Sequence, residues 1–413
     1  KTCFPLIMSK GATEAAVAEA VVIVNGFPIA APVIGIDRVP LIDATTAGIL
    51  ANVNNFKIKQ RTSLLEAATQ GWIEMSNSYD VFDAANGVHL FTVLEQSSAC
   101  ERCCCAPNHS LFLEFKGVAG MGDMSRAKRR DLALAPTIMW AEREGCCSKW
   151  CLGCCVCGNR CANEMYVHAG KMPTDAVPDL KPGKTAWEGR GLIGYLAQPV
   201  PWGGGFTPTV NIMERADPHN TSVRPISKVE GPCIFGGCSE LCCDSVWKIS
   251  EMLPQQYASS IKTGDMARIT KQRPRSFMAA VAEALSDSDT YTMEFVEGKR
   301  LAPQQKAIMM ASLILVDYMF FEVSPPHVFD LRVSCLAFLE CPALFVAGCG
   351  CAQQDNGMCK YRNGKCEITL FDYYCAGFLC PVNVTIPPRQ SPGGFELCCG
   401  GGGAVETSHD VSR

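Results

Sequence analysis

Long apolar runs are missing from this chain. No stretch of its 413 residues reaches the roughly 18 uncharged apolar residues that a membrane-spanning helix needs. The greasiest early run, Ala15–Val24, is flanked or broken by Glu14 and Glu19 and followed by Asn25, Gly26, Pro28 and Pro32. With no basic segment before it, it does not read as a signal peptide. A basic excess is missing too: 37 Lys and Arg stand against 41 Asp and Glu, net charge −4, so no global positive field draws the chain to nucleic acid. Histidine is scarce, with six scattered residues, and no Cys–His nucleophile can be placed. The zinc-protease pattern H-E-x-x-H and the hydrolase elbow G-x-S-x-G do not occur. Pro182-Gly183-Lys184-Thr185 ends like a phosphate loop, but Pro178 holds the place of its first glycine and no strand precedes it. These absences argue against a metabolic enzyme.

Cysteine is abundant. There are 26 in a chain with 48% hydrophobic residues, too many for an ordinary cytosolic enzyme and in too long a chain for a small disulfide scaffold. Opening on Lys1, the chain is expected to be a fragment or a processed form, with residues 1–50 a poorly ordered leader. From Trp72 onward the pattern is one of short strands. Tyr79–Asp83 and Val88–Leu94 flank Asn86-Gly87, which predicts a hairpin on a type I′ turn. Leu111–Lys116, Leu192–Leu196 and Pro208–Ile212 continue the rhythm, and 119–135 and 169–190 read as surface insertions. Many short strands with regular turns predict an antiparallel β-barrel or sandwich. Lys306–Glu322 (KAIMMASLILVDYMFFE) is instead a compact apolar block, and 324–413 a separate tail with ten cysteines.

Several segments, in order, resemble the phospholipid scramblases. They are Phe56–Gln60 with Leu64-Leu65-Glu66 and Gly71-Trp72; the Asn77 and Tyr79 strand with its hairpin; the knots Cys100–Cys105 and Cys146–Cys161; Ile193-Gly194-Tyr195-Leu196-Ala197-Gln198; Gly231-Pro232-Cys233 with Cys238 and Cys242-Cys243; Ser286–Asp289; and the block ending Val316-Asp317-Tyr318-Met319-Phe320-Phe321-Glu322. The resemblance covers roughly 45–323. It implies a mainly β fold, a Tubby-like antiparallel barrel of about twelve strands over 51–323 around a central apolar helix at 306–322. It also implies calcium-stimulated, ATP-independent, bidirectional scrambling of phospholipids at the plasma membrane, with the barrel on the cytoplasmic face and no catalytic chemistry. The alternative is a palmitoylated peripheral Tubby-like adaptor that binds lipid and scrambles nothing.

The site residues follow from both readings. Ala307–Phe321, 15 residues, spans about 22 Å as a helix against a bilayer core of about 30 Å. Asp317 would cost a few kcal/mol at the centre of that core. A buried helix presenting Met309, Leu313, Val316, Asp317, Phe320 and Phe321 inside the barrel is therefore favoured over a single-pass anchor. Asp287, Asp289 and the Tyr291 carbonyl have the spacing of a calcium loop's first ligands. Glu294 and Glu297 lie near its later positions, although Gly298 holds the last; the competing reading is a solvated acidic turn. Cys146, Cys147, Cys151, Cys154, Cys155 and Cys157 are expected to carry palmitoyl chains, as a comparable cluster does in the family. A structural zinc at the Cys146–Cys161 cluster is the rival, since Cys151-x₂-Cys154 and Cys154-x₂-Cys157 have zinc-ligand spacing. Membrane phospholipids are the expected partners. The basic runs Arg126–Arg130 and Lys271–Arg275 read as solvated surface with anionic headgroups as an alternative. The sequon Asn383-Val384-Thr385 would suit an extracellular tail, which requires the helix to cross the membrane.

Overall fold

The computed structural model describes residues 42–61, 76–99, 101–102, 108–122, 124–145, 149, 152, 156–172, 191–215, 223–252, 264–274, 289–299, 301–321, 359–362 and 365–386, together with two short paired strands, β1 (Val21–Val24) and β2 (Phe27–Ala30).

Twelve strands close into one antiparallel barrel. They are β3 (Asn55–Gln60), β4 (Ser78–Asp83), β5 (His89–Gln96), β6 (Leu111–Gly117), β7 (Thr137–Arg143), β8 (Glu164–Ala169), β9 (Leu192–Ala197), β10 (Thr209–Arg215), β11 (Val223–Glu230), then, past the two-residue β12 (Ile234–Phe235), β13 (Ser245–Glu251), β14 (Asp265–Lys271) and β15 (Thr290–Phe295). Each strand pairs with its neighbour in the chain, β11 passing to β13, and closure comes from β15 on β3, Tyr291 opposite Ile58. Alternation explains the shape: on β3 Phe56 and Ile58 are fully buried while Lys59 is exposed, so one face of each ribbon is turned toward a common axis.

That axis is filled by a helix. α1 (Ala44–Asn52) lies at one rim, capped by Asp43, whose carboxylate accepts from Thr46 N at 3.0 Å. α2 (Pro303–Phe320) runs through the barrel with every residue but Pro303 and Gln305 buried. Pro303 occupies the first turn, where its missing N–H costs nothing, and the Gln305 side chain accepts from Ala302 N at 3.1 Å. Ala, Met and Leu make the helix; its all-round apolarity makes it a core element. Each large side chain so buried is worth about 1.5–3 kcal/mol. The start, Pro303, is three residues earlier than the apolar pattern alone marks. Gly194 is a notch for this helix: a Cβ there would stand 2.6 Å from the Ile308 side chain. The Ile-Gly-Tyr signature is thus a packing requirement.

Asn86-Gly87 does turn β4 into β5, but not as a type I′ turn. Gly87 alone takes a positive φ, 73°, because the connection is longer than two residues. Asp83 O accepts from Gly87 N at 2.8 Å and the Asn86 side chain from Val88 N at 2.9 Å. The two-residue turn with both φ positive is found at Ala376-Gly377 (51° and 93°). It belongs to a second, four-stranded sheet of β12, β16 (Cys359–Arg362), β17 (Lys365–Cys375) and β18 (Phe378–Ile386). Part of the cysteine-rich tail therefore folds back on the barrel, Ile234 pairing with Tyr373 and Phe235 with Asp372.

Candidate functional site

The barrel's two ends differ. At the α1 end the helix is held largely by backbone carbonyls: Lys306 Nζ donates to Leu50 O at 2.9 Å and Val53 O at 2.6 Å, and Gln304 to Arg215 O at 3.0 Å, while Gln305 Nε2 donates to the Glu214 carboxylate at 3.1 Å. Burial lowers the Lys306 ammonium to about 8. Between α1 and the rim lies a mostly apolar cavity of about 580 Å³, with Ile49, Leu90, Phe91 and Ile138 in its wall and Asp43 and Asn52 at its edge.

Charge gathers at the other end. Asp317, 1% exposed, accepts from Tyr79 OH at 2.7 Å and from Tyr291 OH. Tyr291 OH also reaches Asp289 Oδ2 at 3.0 Å. Lys271 Nζ then sits 2.6 Å from Asp289 and 2.7 Å from Glu240, and 4.2 Å over the Phe321 ring. Burial works against its charge, but the carboxylates of Asp289 and Glu240 more than offset this and hold Lys271 protonated. Asp317 is pushed up to about 6, first by burial and then by the neighbouring Asp289 carboxylate. Burial likewise raises Glu240, and raises the Tyr291 phenol together with its two aspartates. A second group adjoins the helix's other side. Glu95 accepts from Asn77 N at 2.7 Å, Tyr318 OH at 2.8 Å and His109 Nε2 at 2.8 Å. Burial favours its neutral form, yet the charge and hydrogen bond of His109, with bonds from Ser97 and Asn77, bring it down to about 2.

All six expected helix residues, Met309, Leu313, Val316, Asp317, Phe320 and Phe321, are inside the barrel, none more than 4% exposed. Phe320 packs on Trp247 with ring centroids 5.0 Å apart, and Phe235 on Phe321 at 5.6 Å.

The calcium set is not brought together among the described residues. Asp289 faces inward onto Lys271, and the Tyr291 backbone lies between paired strands. Glu294 is exposed on the opposite face of β15, and Glu297 is exposed beyond its far end. At about 3.4 Å per residue, Asp289 and Glu294 stand roughly 17 Å apart, whereas calcium draws its oxygens to about 2.3–2.6 Å. Asp287 lies outside the described residues. No group of three or more His, Cys, Asp or Glu among the described residues is arranged to hold a metal. Of the acylation set, Cys157 is exposed; Cys146, Cys147, Cys151, Cys154 and Cys155 fall outside the described residues. Cys161, at the end of the suggested zinc cluster, is disulfide-bonded, which removes its thiolate from a zinc ligand set.

The two basic runs are not plain surface. Lys271 is internal, and Arg129 donates to Ser78 Oγ at 3.2 Å and to Glu95 O, pinning the 119–135 insertion to the barrel. Burial lowers the Arg129 guanidinium. Alternation marks Lys271, because it shares strand parity with Ala267 and Ile269, both fully buried. Glu95 shares parity with buried Phe91 and Val93 in the same way and meets His109 across the β5–β6 connection, whereas Glu240, on the β11–β13 connection, carries no such mark.

The Scramblase family model matches residues 240–323, the segment that carries Glu240, Lys271, Asp289, Tyr291 and all of α2. Over this segment the chain is similar to the scramblase family. It is 23% identical over 273 residues to phospholipid scramblase 1 of Mus musculus, covering 66% of this chain and 62% of the mouse protein. The human phospholipid scramblase 1 gives 23% over 273 residues, with 66% and 64% covered, and human phospholipid scramblase 2 gives 24% over 274 residues, with 66% and 69% covered. The match thus spans less than two thirds of the first of these scramblases. No solved structure matches the chain at comparable significance. Among the described residues no helix is long and apolar enough to cross a membrane.

Proposed function

We propose that this chain is an ATP-independent, bidirectional phospholipid scramblase that works from the cytoplasmic face of the plasma membrane without catalytic chemistry. The supporting observation is the scramblase-family match over 240–323, which takes in both the central helix and the Glu240–Lys271–Asp289 cluster at its end. A headgroup crossing hydrocarbon loses its water, at a cost of several kcal/mol per polar group. A docked protein that disorders or thins the leaflet lowers that barrier and needs no nucleotide. Palmitoyl chains on Cys146–Cys157 would hold the barrel at the surface, two anchors being needed for stable attachment. Calcium stimulation rests on the resemblance alone.

A second reading is favoured by one observation: α2 is enclosed by the barrel, as a peripheral lipid-binding adaptor requires. The test is reconstitution of the full chain into liposomes with a fluorescent phospholipid in both leaflets, followed by dithionite. Loss of the protected inner-leaflet signal without ATP supports scrambling, with calcium as a separate arm. Membrane-bound protein that leaves this signal intact establishes the adaptor instead.

A further inference from the structure

Eight of the eleven large hydrophobic residues exposed among the described residues lie at the charged end of the barrel. Two features present them. One is the β9–β10 connection, where Trp202 is 51% and Phe206 65% exposed. The other is the second sheet. Its inner face, with Asp372, Tyr374 and Leu379, is buried on the barrel, while its outer face carries Ile234, Phe371, Tyr373, Phe378, Val382 and Val384. The outer-face residues follow from register: Ile234 is opposite Tyr373, Tyr373 opposite Cys380 and Phe371 opposite Val382. None of them is charged.

The two features are joined. Tyr374 OH donates to Gly203 O at 2.9 Å and Ala376 N to Gly205 O at 2.7 Å. Trp202 N in turn donates to Val156 O at 3.1 Å, which places the exposed Cys157 beside the aromatic loop. Cys233, Cys242 and Cys243 are exposed on the β11–β13 connection, whose carbonyl at Cys242 accepts from the exposed Arg273 at 2.7 Å.

We propose that this end is a bilayer-insertion surface, with the Trp202–Phe206 loop and the outer face of the second sheet entering the interface of an anionic leaflet. Its occupant is lipid and not a second protein, on three grounds. Aromatic side chains on a protruding loop seat at the headgroup level. Exposed thiols are interleaved with the apolar residues, where acyl chains attached to them would enter the same phase. Exposed cations, Arg160 and Arg273, stand beside the apolar residues and not among them, Arg273 next to Asp244, whose carboxylate accepts from its backbone N at 2.8 Å; cations so placed can snorkel to headgroups. The proposal rests on the reading that the chain acts at a bilayer, and it stands or falls separately from scrambling.

The test uses the full, unacylated chain and vesicles of phosphatidylcholine with a minor share of phosphatidylserine, some brominated in the acyl chains. Flotation and quenching of tryptophan fluorescence are expected for the wild type. Loss of the quenched component is expected in Trp202→Phe. The double variant Trp202→Ser, Phe206→Ser, and separately Val382→Asn, should bind about tenfold or more weakly. Leu134→Ser, equally apolar, 86% exposed and outside both the Trp202–Phe206 loop and the second sheet, should bind like the wild type. Equal weakening by Leu134→Ser, or absence of flotation, overturns the proposal. So does a dimer in sedimentation that Val382→Asn dissociates while vesicle binding stays absent. Binding with intact quenching but no dithionite-sensitive lipid exchange removes scrambling alone.

Discussion

The two ends of the barrel invert each other. Around α1 the interior is tied largely by backbone carbonyls that receive Lys306 and Gln304, with one carboxylate, Glu214, receiving Gln305, and few large hydrophobic residues such as Val296 are exposed there among the described residues. Around the last turn of α2 the interior holds Asp317, Asp289, Glu240, Glu95 and Lys271, while the exterior carries most of the exposed apolar surface. An end covered by apolar material has little water to offer buried charges, so each must find its counter-charge inside. The dense network is what such an end needs. A sparser set of contacts suffices where solvent is near.

The largest test of this contrast is Lys271→Met. Removing the ammonium leaves Asp289 and Glu240 buried against each other, and a loss of about 3–5 kcal/mol is expected in urea denaturation. A loss below about 1 kcal/mol would show that water already reaches this end. Leu313→Ala, midway along α2, creates a cavity independent of either end and should cost about 2–5 kcal/mol, read by thermal melting. The pH dependence comes next. Asp317 binds its proton more tightly folded (about 6) than its ordinary value of 3.8. It therefore adds most stability below 3.8, and this is lost as pH rises through 6, on the order of 2–3 kcal/mol. Asp317→Asn should flatten the urea midpoint between pH 4 and 6. Glu95 runs the other way: its stabilisation is full above 4.5 and is lost as pH falls toward 2. At the opposite end Lys306→Met forfeits bonds to Leu50 and Val53 carbonyls and should cost about 1–3 kcal/mol. Smallest is Arg130→Ala, whose pair with Asp131 is 79% and 49% exposed; no measurable change in melting is expected.

Much of the barrel could be read from the chain. Strands β4, β5, β6, β9 and β10 announce themselves by alternation between turn residues, and α2 by an apolar block too short to span. What stayed hidden depends on contacts between distant segments. Lys271 sits beside Gln272 and Arg273 and reads as a basic surface; strand parity turns it inward, but its partners Glu240 and Asp289 come from connections on either side of β14. The acidic run ending at Asp289 reads as a cation loop, since local spacing does not reveal which face a side chain will occupy. The tail sheet was legible in principle. Phe371–Cys375 and Phe378–Cys380 flank Ala376-Gly377, but Ala is a poor advertisement for positive φ.

Pairing of β12 with β17 fixes the tail's side of any membrane. A sheet that shares hydrogen bonds with the barrel cannot be separated from it by a bilayer, so the Asn383 sequon and the cysteines of β17 and β18 occupy the barrel's compartment.

Closure of β15 on β3 also sets a schedule. Asp289 N reaches back to the Gln60 side chain across 229 residues, and the plug that fills the lumen is made later still. Until then the nascent ribbons form an open, half-greasy palisade with nothing at its centre. A chain built in this order depends on protection during synthesis, and truncation before residue 320 should yield aggregates in place of a smaller folded unit.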